Sequence, residues 1–155
     1  MREAADAEEE PGYWFLHDFD GDGIPEIIAG GFMTTLYTFG KDGIRQLRLP
    51  ANHGIICWEA DLIAVSYGGV GLSETVYAEF GDGEIREIGS YSFTDGKIRY
   101  VWRGETLRDG DQMEALLAPY GESKSLDHDA EGIPGYYTSR EAVLEAVRNW
   151  LEQGN

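Results

Sequence analysis

A single cysteine, Cys57, stands among 155 residues. It has no partner for an internal disulfide, so a small cystine-stapled scaffold is excluded. Within "GIICWEA" it reads as a buried strand residue rather than a reactive thiol. Basic residues are also scarce: twelve Lys and Arg stand against twenty-nine Asp and Glu, a net charge of −17. Such a surface repels phosphate backbones and anionic lipid headgroups, which argues against nucleic-acid partners and membrane docking. Long apolar runs are missing too. The longest, "GIICW" and then "LIAVSY", is interrupted by Glu59 and Asp61, so no membrane-inserted helix is expected. The three histidines, His17, His53 and His128, lack metal-ligand spacing, which argues against zinc.

What is present is a β pattern. Strands are expected over 13–18, 24–31, 34–40, 44–49, 54–60, 62–69, 73–80, 84–93 and 97–104, each short and ended by a turn signal. "FGKDGIR" (39–45), "FGDGEIR" (80–86) and "FTDGKIR" (93–99) repeat one hairpin design. Asp-Gly supplies positive φ for the turn, and Phe and Ile can meet across it. The intervals are unequal, so the repeats do not make a solenoid.

Beyond residue 108 the period changes. Asp111 and Glu114 are spaced as a capping box before an apolar face of Met113, Leu116, Leu117 and Tyr120. Residues 121–135 read as loop. A second helix is expected from a Thr138 or Ser139 cap, with Val143, Val147, Trp150 and Leu151 as its stripe and Gly154 as its stop. The fold class is therefore α+β: a β-rich antiparallel meander of hairpins (a sheet, a sandwich or a partial propeller) with two C-terminal helices. An acidic tail over 1–12, expected to be disordered, leads into one domain over 13–155.

"DFDGDGIPE" (18–26) carries the chemistry. Counting from Asp18, acids fall at positions 1, 3 and 5 (Asp18, Asp20, Asp22), a glycine at 6 and a glutamate, Glu26, at 9. Alternate side chains of a loop coiled about one ion point inward, so this spacing suits calcium, with the Ile24 carbonyl supplying position 7. The pattern departs from an EF-hand, because position 12 is Ala29 and strands rather than helices flank it. Glu26 must then close the ligand set. An acidic turn without metal is the alternative, disfavoured because such crowded like charges repel.

Two resemblances rest on these residues. "DFDGDGIPEII" resembles the loops of FG-GAP and related cell-surface repeats. "YWFLHDFDGDGIPEIIAGG" with "LYTFGKDGIRQL" resembles a family of secreted proteins and lipoproteins of Gram-positive bacteria, mostly of unknown function. "VWRGETLRDGDQMEALLAPYGE" extends that likeness more loosely, so it touches 13–49 and 91–121. The resemblance implies export and calcium binding by Asp18, Asp20, Asp22 and Glu26, and implies no activity. Residues 1–11 hold no apolar export segment; on this reading they are a tether left after one.

Other constellations are weaker. Asp127, Asp129 and Glu131 around His128 alternate like a second, poorer oxygen cluster, but without a glycine at the turning position. Cys57 with His53 has no supporting nucleophile motif. "SYGGVGLSET" (66–75) matches no phosphate-binding spacing, and Ser73 lacks a nucleophile-elbow context. Trp14, Trp58, Trp102, Tyr136 and Tyr137 could form a sugar platform, though core packing is their commoner fate. The expected function is a calcium-binding, non-enzymatic module, extracellular or anchored at the cell surface, that binds or displays. Its partners would be the calcium ion and an extracellular protein or glycan. The alternatives are a secreted hydrolase acting on glycans or cell wall with unassigned carboxylates, and a purely structural domain of a larger assembly.

Overall fold

The computed structural model describes residues 11–30, 33–50, 54–59, 61–126 and 135–153. Among these residues, twelve strands form two antiparallel sheets. The first is ordered β12-β1-β2-β3-β4, from β1 (Tyr13–His17), β2 (Glu26–Gly30), β3 (Met33–Gly40), β4 (Gly43–Pro50) and β12 (Tyr136–Tyr137). The second is ordered β10-β9-β8-β7-β6-β5-β11. It comprises β5 (Gly54–Trp58), β6 (Leu62–Gly69), β7 (Leu72–Gly81), β8 (Glu84–Thr94), β9 (Lys97–Trp102), β10 (Glu105–Leu107) and β11 (Ser123–Ser125). Nearest neighbours in sequence pair in space almost throughout, as a meander requires.

The sheets enclose a shared core. Phe15, Ile28 and Leu36 reach it from the first sheet, and Ile55, Ile63, Val65, Val76 and Phe80 from the second. Burying a side chain of this size contributes about 1.5–3 kcal/mol. The outer face of the second sheet has its own cluster: Leu62, Ile88 and Trp102 pack under Met113 of helix α1 (Gly110–Leu117). One extra residue in β8 makes this possible. Tyr77 pairs with Gly89 and Ala78 with Glu87, so Ile88 is a bulge residue directed to the helix side.

All three repeated hairpins place Phe opposite Ile: Phe39 with Ile44, Phe80 with Ile85, and Phe93 with Ile98. Their turns are not identical. Asp82-Gly83 and Asp95-Gly96 have positive φ at both residues (54° and 72°; 51° and 78°), as a two-residue hairpin turn prefers. In the β3–β4 turn only Gly43 of the Asp-Gly pair does, with φ 113°, because Lys41 and Asp42 form the turn and Gly43 opens the next strand. Arg103-Gly104 (49°, 83°) makes a fourth such turn without the motif.

The helices begin one cap away from one expectation. Asp109, not Asp111, caps α1: its extended backbone lets the carboxylate accept from the Gln112 N–H at 3.0 Å. Helix α2 (Arg140–Glu152) is capped by Ser139, whose Oγ accepts from the Ala142 N–H at 3.0 Å. Val143 is buried and Val147 and Trp150 are half-buried, but Leu151 is 63% exposed and faces outward, off the expected stripe. The stretch expected as loop over 121–135 contains β11, paired with β5. Gly154 and most of the acidic tail lie outside the described residues. Gly12 is paired, donating its N–H to Gly30 O at 2.8 Å.

Candidate metal centre

The acidic loop joins β1 to β2 just past their last registered pair, His17 with Glu26. Phe19 anchors it. Its ring is 3% exposed and stacks on Phe80 at 4.8 Å, while its carbonyl accepts from the Asp61 N–H at 3.1 Å. An acidic run is thus pinned into the core by one aromatic side chain.

From Asp18 onward the loop coils around its own carboxylates. Asp18 Oδ1 accepts from the Gly21 N–H and Oδ2 from the Gly23 N–H, both at 2.9 Å. Asp20 Oδ1 accepts from the Asp22 N–H at 3.1 Å, and Asp22 Oδ1 from the Ile24 N–H at 2.8 Å. Gly21 and Gly23 turn at φ 76° and 90°, which side-chain-bearing residues resist. Asp18, Asp20 and Asp22 thereby each present a carboxylate oxygen within 4.8 Å of the others.

Glu26 lies outside that trio. It is 1% exposed, with Oε2 accepting from the Phe19 N–H at 2.8 Å and Oε1 from the Thr38 hydroxyl at 3.1 Å. Burial, followed by the charges of Asp20 and Asp22, pushes its carboxyl up to about 7, against those two hydrogen bonds. Burial, with Asp22 and Asp18 adding to it, likewise raises Asp20 to about 6. Ile24 keeps its side chain 37% exposed.

Two neighbours carry no motif in the sequence. Asp61 sits in the left-handed region at φ 57°, and its carboxyl is raised by burial and then by the charges of Glu79 and Asp18. A non-glycine residue with positive φ is uncommon, and that strain is offset here by the backbone hydrogen bonds to Phe19 and Phe80. Trp150 of α2 donates its indole N–H to Gly23 O at 2.8 Å. The Gly23–Ile24 peptide is therefore held on one side by Asp22 and on the other by Trp150. Only the apolar stripe of α2 was legible, not its reach to the loop.

The remaining candidates fall elsewhere. Cys57 is 5% exposed and burial pushes its thiol up to about 11, so it stays protonated at neutral pH. His53 and the 127–131 acids lie outside the described residues. His17 packs edge-on against Phe19 at 4.6 Å, its Nε2 3.4 Å from Glu59 O. Ser73 pairs opposite Gly68 in the β6–β7 hairpin, whose tip the glycine-rich stretch forms, and opposite Phe93 of β8 on its other side. Trp58, Tyr77, Trp102 and Tyr120 form a chain of ring contacts under α1, so Trp58 and Trp102 are packing residues. Trp14, Tyr136 and Tyr137 are half-buried in β1 and β12.

No helix among the described residues is long and apolar enough to cross a membrane. No protein-family model, curated protein or solved structure matches the chain.

Proposed function

We propose that the chain is a calcium-stabilised module that works outside the cell by binding or display rather than by catalysis. The observation that carries this reading is the convergence of three aspartates within 4.8 Å on a loop already coiled by its own hydrogen bonds. Burial, with the neighbouring aspartates adding to it, raises Asp20 to about 6 and Glu26 to about 7, so keeping the acids of the loop ionised calls for a positive counter-charge. A hard divalent cation supplies one.

Asp18, Asp20 and Asp22 would hold the ion through free lone pairs, with the Ile24 carbonyl and water completing an oxygen shell, while buried Glu26, its oxygens engaged by Phe19 and Thr38, adds negative charge behind the loop. Calcium suits this set better than magnesium, because it accepts six to eight oxygens in flexible geometry. Extracellular loops of this kind bind at about 10⁻⁴–10⁻³ M, which matches calcium-rich surroundings.

Calcium that binds only the folded state stabilises it by about 1.4 kcal/mol at ten times Kd, worth roughly 4 °C in a domain of this size. The melting temperature is expected to rise by that order in millimolar calcium, much less in magnesium, and not at all in Asp20→Ala. A parent protein whose melting is indifferent to calcium overturns the reading.

A further inference from the structure

A groove of about 560 Å³ lies between α2 and the β1–β12 edge. Its existence follows from the helix sequence. Ala142, Ala146 and Trp150, four residues apart, form the half-buried stripe, and the two alanines leave the space that larger side chains would fill. The helix is tethered at both ends: a short link joins its start to β12, and Trp150 hydrogen-bonds Gly23 O near its end.

The neighbouring stripe is polar. Glu145, Asn149 and Gln153, again four apart, line the groove along its exposed side, while His17 and Tyr137 line it from the strands. Among the described residues the Glu145, Asn149 and Gln153 side chains have no hydrogen-bond partner. Trp150 has its only donor engaged, so it offers the groove hydrocarbon surface alone.

We propose that this groove binds a neutral pyranose unit of a glycan. A pyranose has an apolar C–H face and a rim of hydroxyls, which match the Trp150 and Tyr137 rings beside two amides and a carboxylate. The volume falls within the range of small-ligand sites, about 300–1,000 Å³. An anion is disfavoured by the net charge of −17 and the adjacent aspartates. A wholly apolar ligand would strip water from three polar side chains and return no hydrogen bond. A cation would meet a single carboxylate here, with the aspartate trio close by as a stronger competitor.

The test titrates the full chain with maltotriose, cellotriose and chitotriose, and with tetramethylammonium as a cationic probe, up to about 10 mM, enough to detect millimolar Kd. The Trp150 indole and Tyr137 ring resonances report binding. At least one trisaccharide is expected to shift both saturably, with or without calcium. Ala146→Leu, which fills the groove, and Asn149→Ala, on the exposed stripe, should each weaken it about tenfold or more, a loss of about 1.4 kcal/mol. Melting temperatures identify any variant that fails to fold, and Asn149→Ala carries the test if Ala146→Leu does. Glu145→Gln should retain most of the affinity, because an amide still accepts from a hydroxyl. The proposal is overturned if no trisaccharide shifts these resonances. It is also overturned if folded Ala146→Leu and Asn149→Ala both bind as the parent does, or if tetramethylammonium binds instead and Glu145→Gln abolishes that binding.

Discussion

Glu26 makes the metal-free protein less stable as pH rises. In the folded chain its carboxyl titrates near 7, against an ordinary value of 4.5, chiefly because it is buried. The folded state therefore binds a proton that the unfolded state has released, throughout the window between those two values. Stability falls with pH wherever the folded state holds more protons, so the loss runs from about pH 4.5 to pH 7 and then levels off. The separation between 4.5 and about 7, at about 1.4 kcal/mol per pH unit, corresponds to roughly 3 kcal/mol in full. About 2 kcal/mol of it should be lost between pH 5 and pH 8. At 1% exposure the side chain has little solvent screening to reduce that figure. Asp20, raised to about 6 from 3.8, acts in the same direction over the lower part of the window.

Urea unfolding of calcium-free protein at pH 5 and pH 8 measures the slope. Glu26→Gln isolates it, since the amide keeps an acceptor oxygen but cannot ionise, and the variant should lose most of the pH dependence whatever its absolute stability. Millimolar calcium should flatten the parent's slope by stabilising the ionised form. Equal slopes in the parent and Glu26→Gln would refute the reasoning, since the general repulsion of an acidic chain is common to both.

Four further expectations concern turns, packing and the brace on the loop. Gly83→Ala combines φ 72° with a Cβ that would lie 2.8 Å from Gly40 Cα, whereas Gly96→Ala has φ 78° and open space. Left-handed strain alone costs about 1–2 kcal/mol, so Gly96→Ala should show that much and Gly83→Ala about 1–3 kcal/mol more in denaturant unfolding. Leu36→Ala, fully buried between the sheets, should cost about 2–5 kcal/mol. Leu151→Ala, on the exposed side of α2, should stay within about 0.5 kcal/mol. Trp150→Phe removes the indole hydrogen bond to Gly23 O and should cost about 1 kcal/mol while weakening calcium binding, read by calorimetry.

Nine of the twelve strands were legible because alternation and Asp-Gly turns are local signals. The Phe–Ile pairs show how far such signals reach: residues five apart met as the turn chemistry required. The three strands that were missed, β10, β11 and β12, have only two or three residues each. They exist because a partner edge is available, which no local pattern records. The cap of α1 was misplaced because "RDGDQME" holds two overlapping acid-and-partner spacings, and it is Asp109 whose extended backbone places its carboxylate on the Gln112 N–H. In the acidic loop, the inward aspartates followed from their alternation. The burial of Glu26 depends on Thr38 and Phe19, and the approach of Asp61 depends on the second sheet. Those are consequences of stacking two sheets, invisible until both are placed.

The hydrogen bond from Trp150 to Gly23 spans 127 positions of the chain, and β12 meets β1 across a similar interval. During synthesis the aspartate loop emerges long before the helix that braces it. The β1–β2 hairpin therefore gains its brace only when residues 136–150 have left the ribosome. Contacts of such long range are late and slow to form. A nascent chain halted before Trp150 would carry every aspartate of the loop and still lack the brace that holds it.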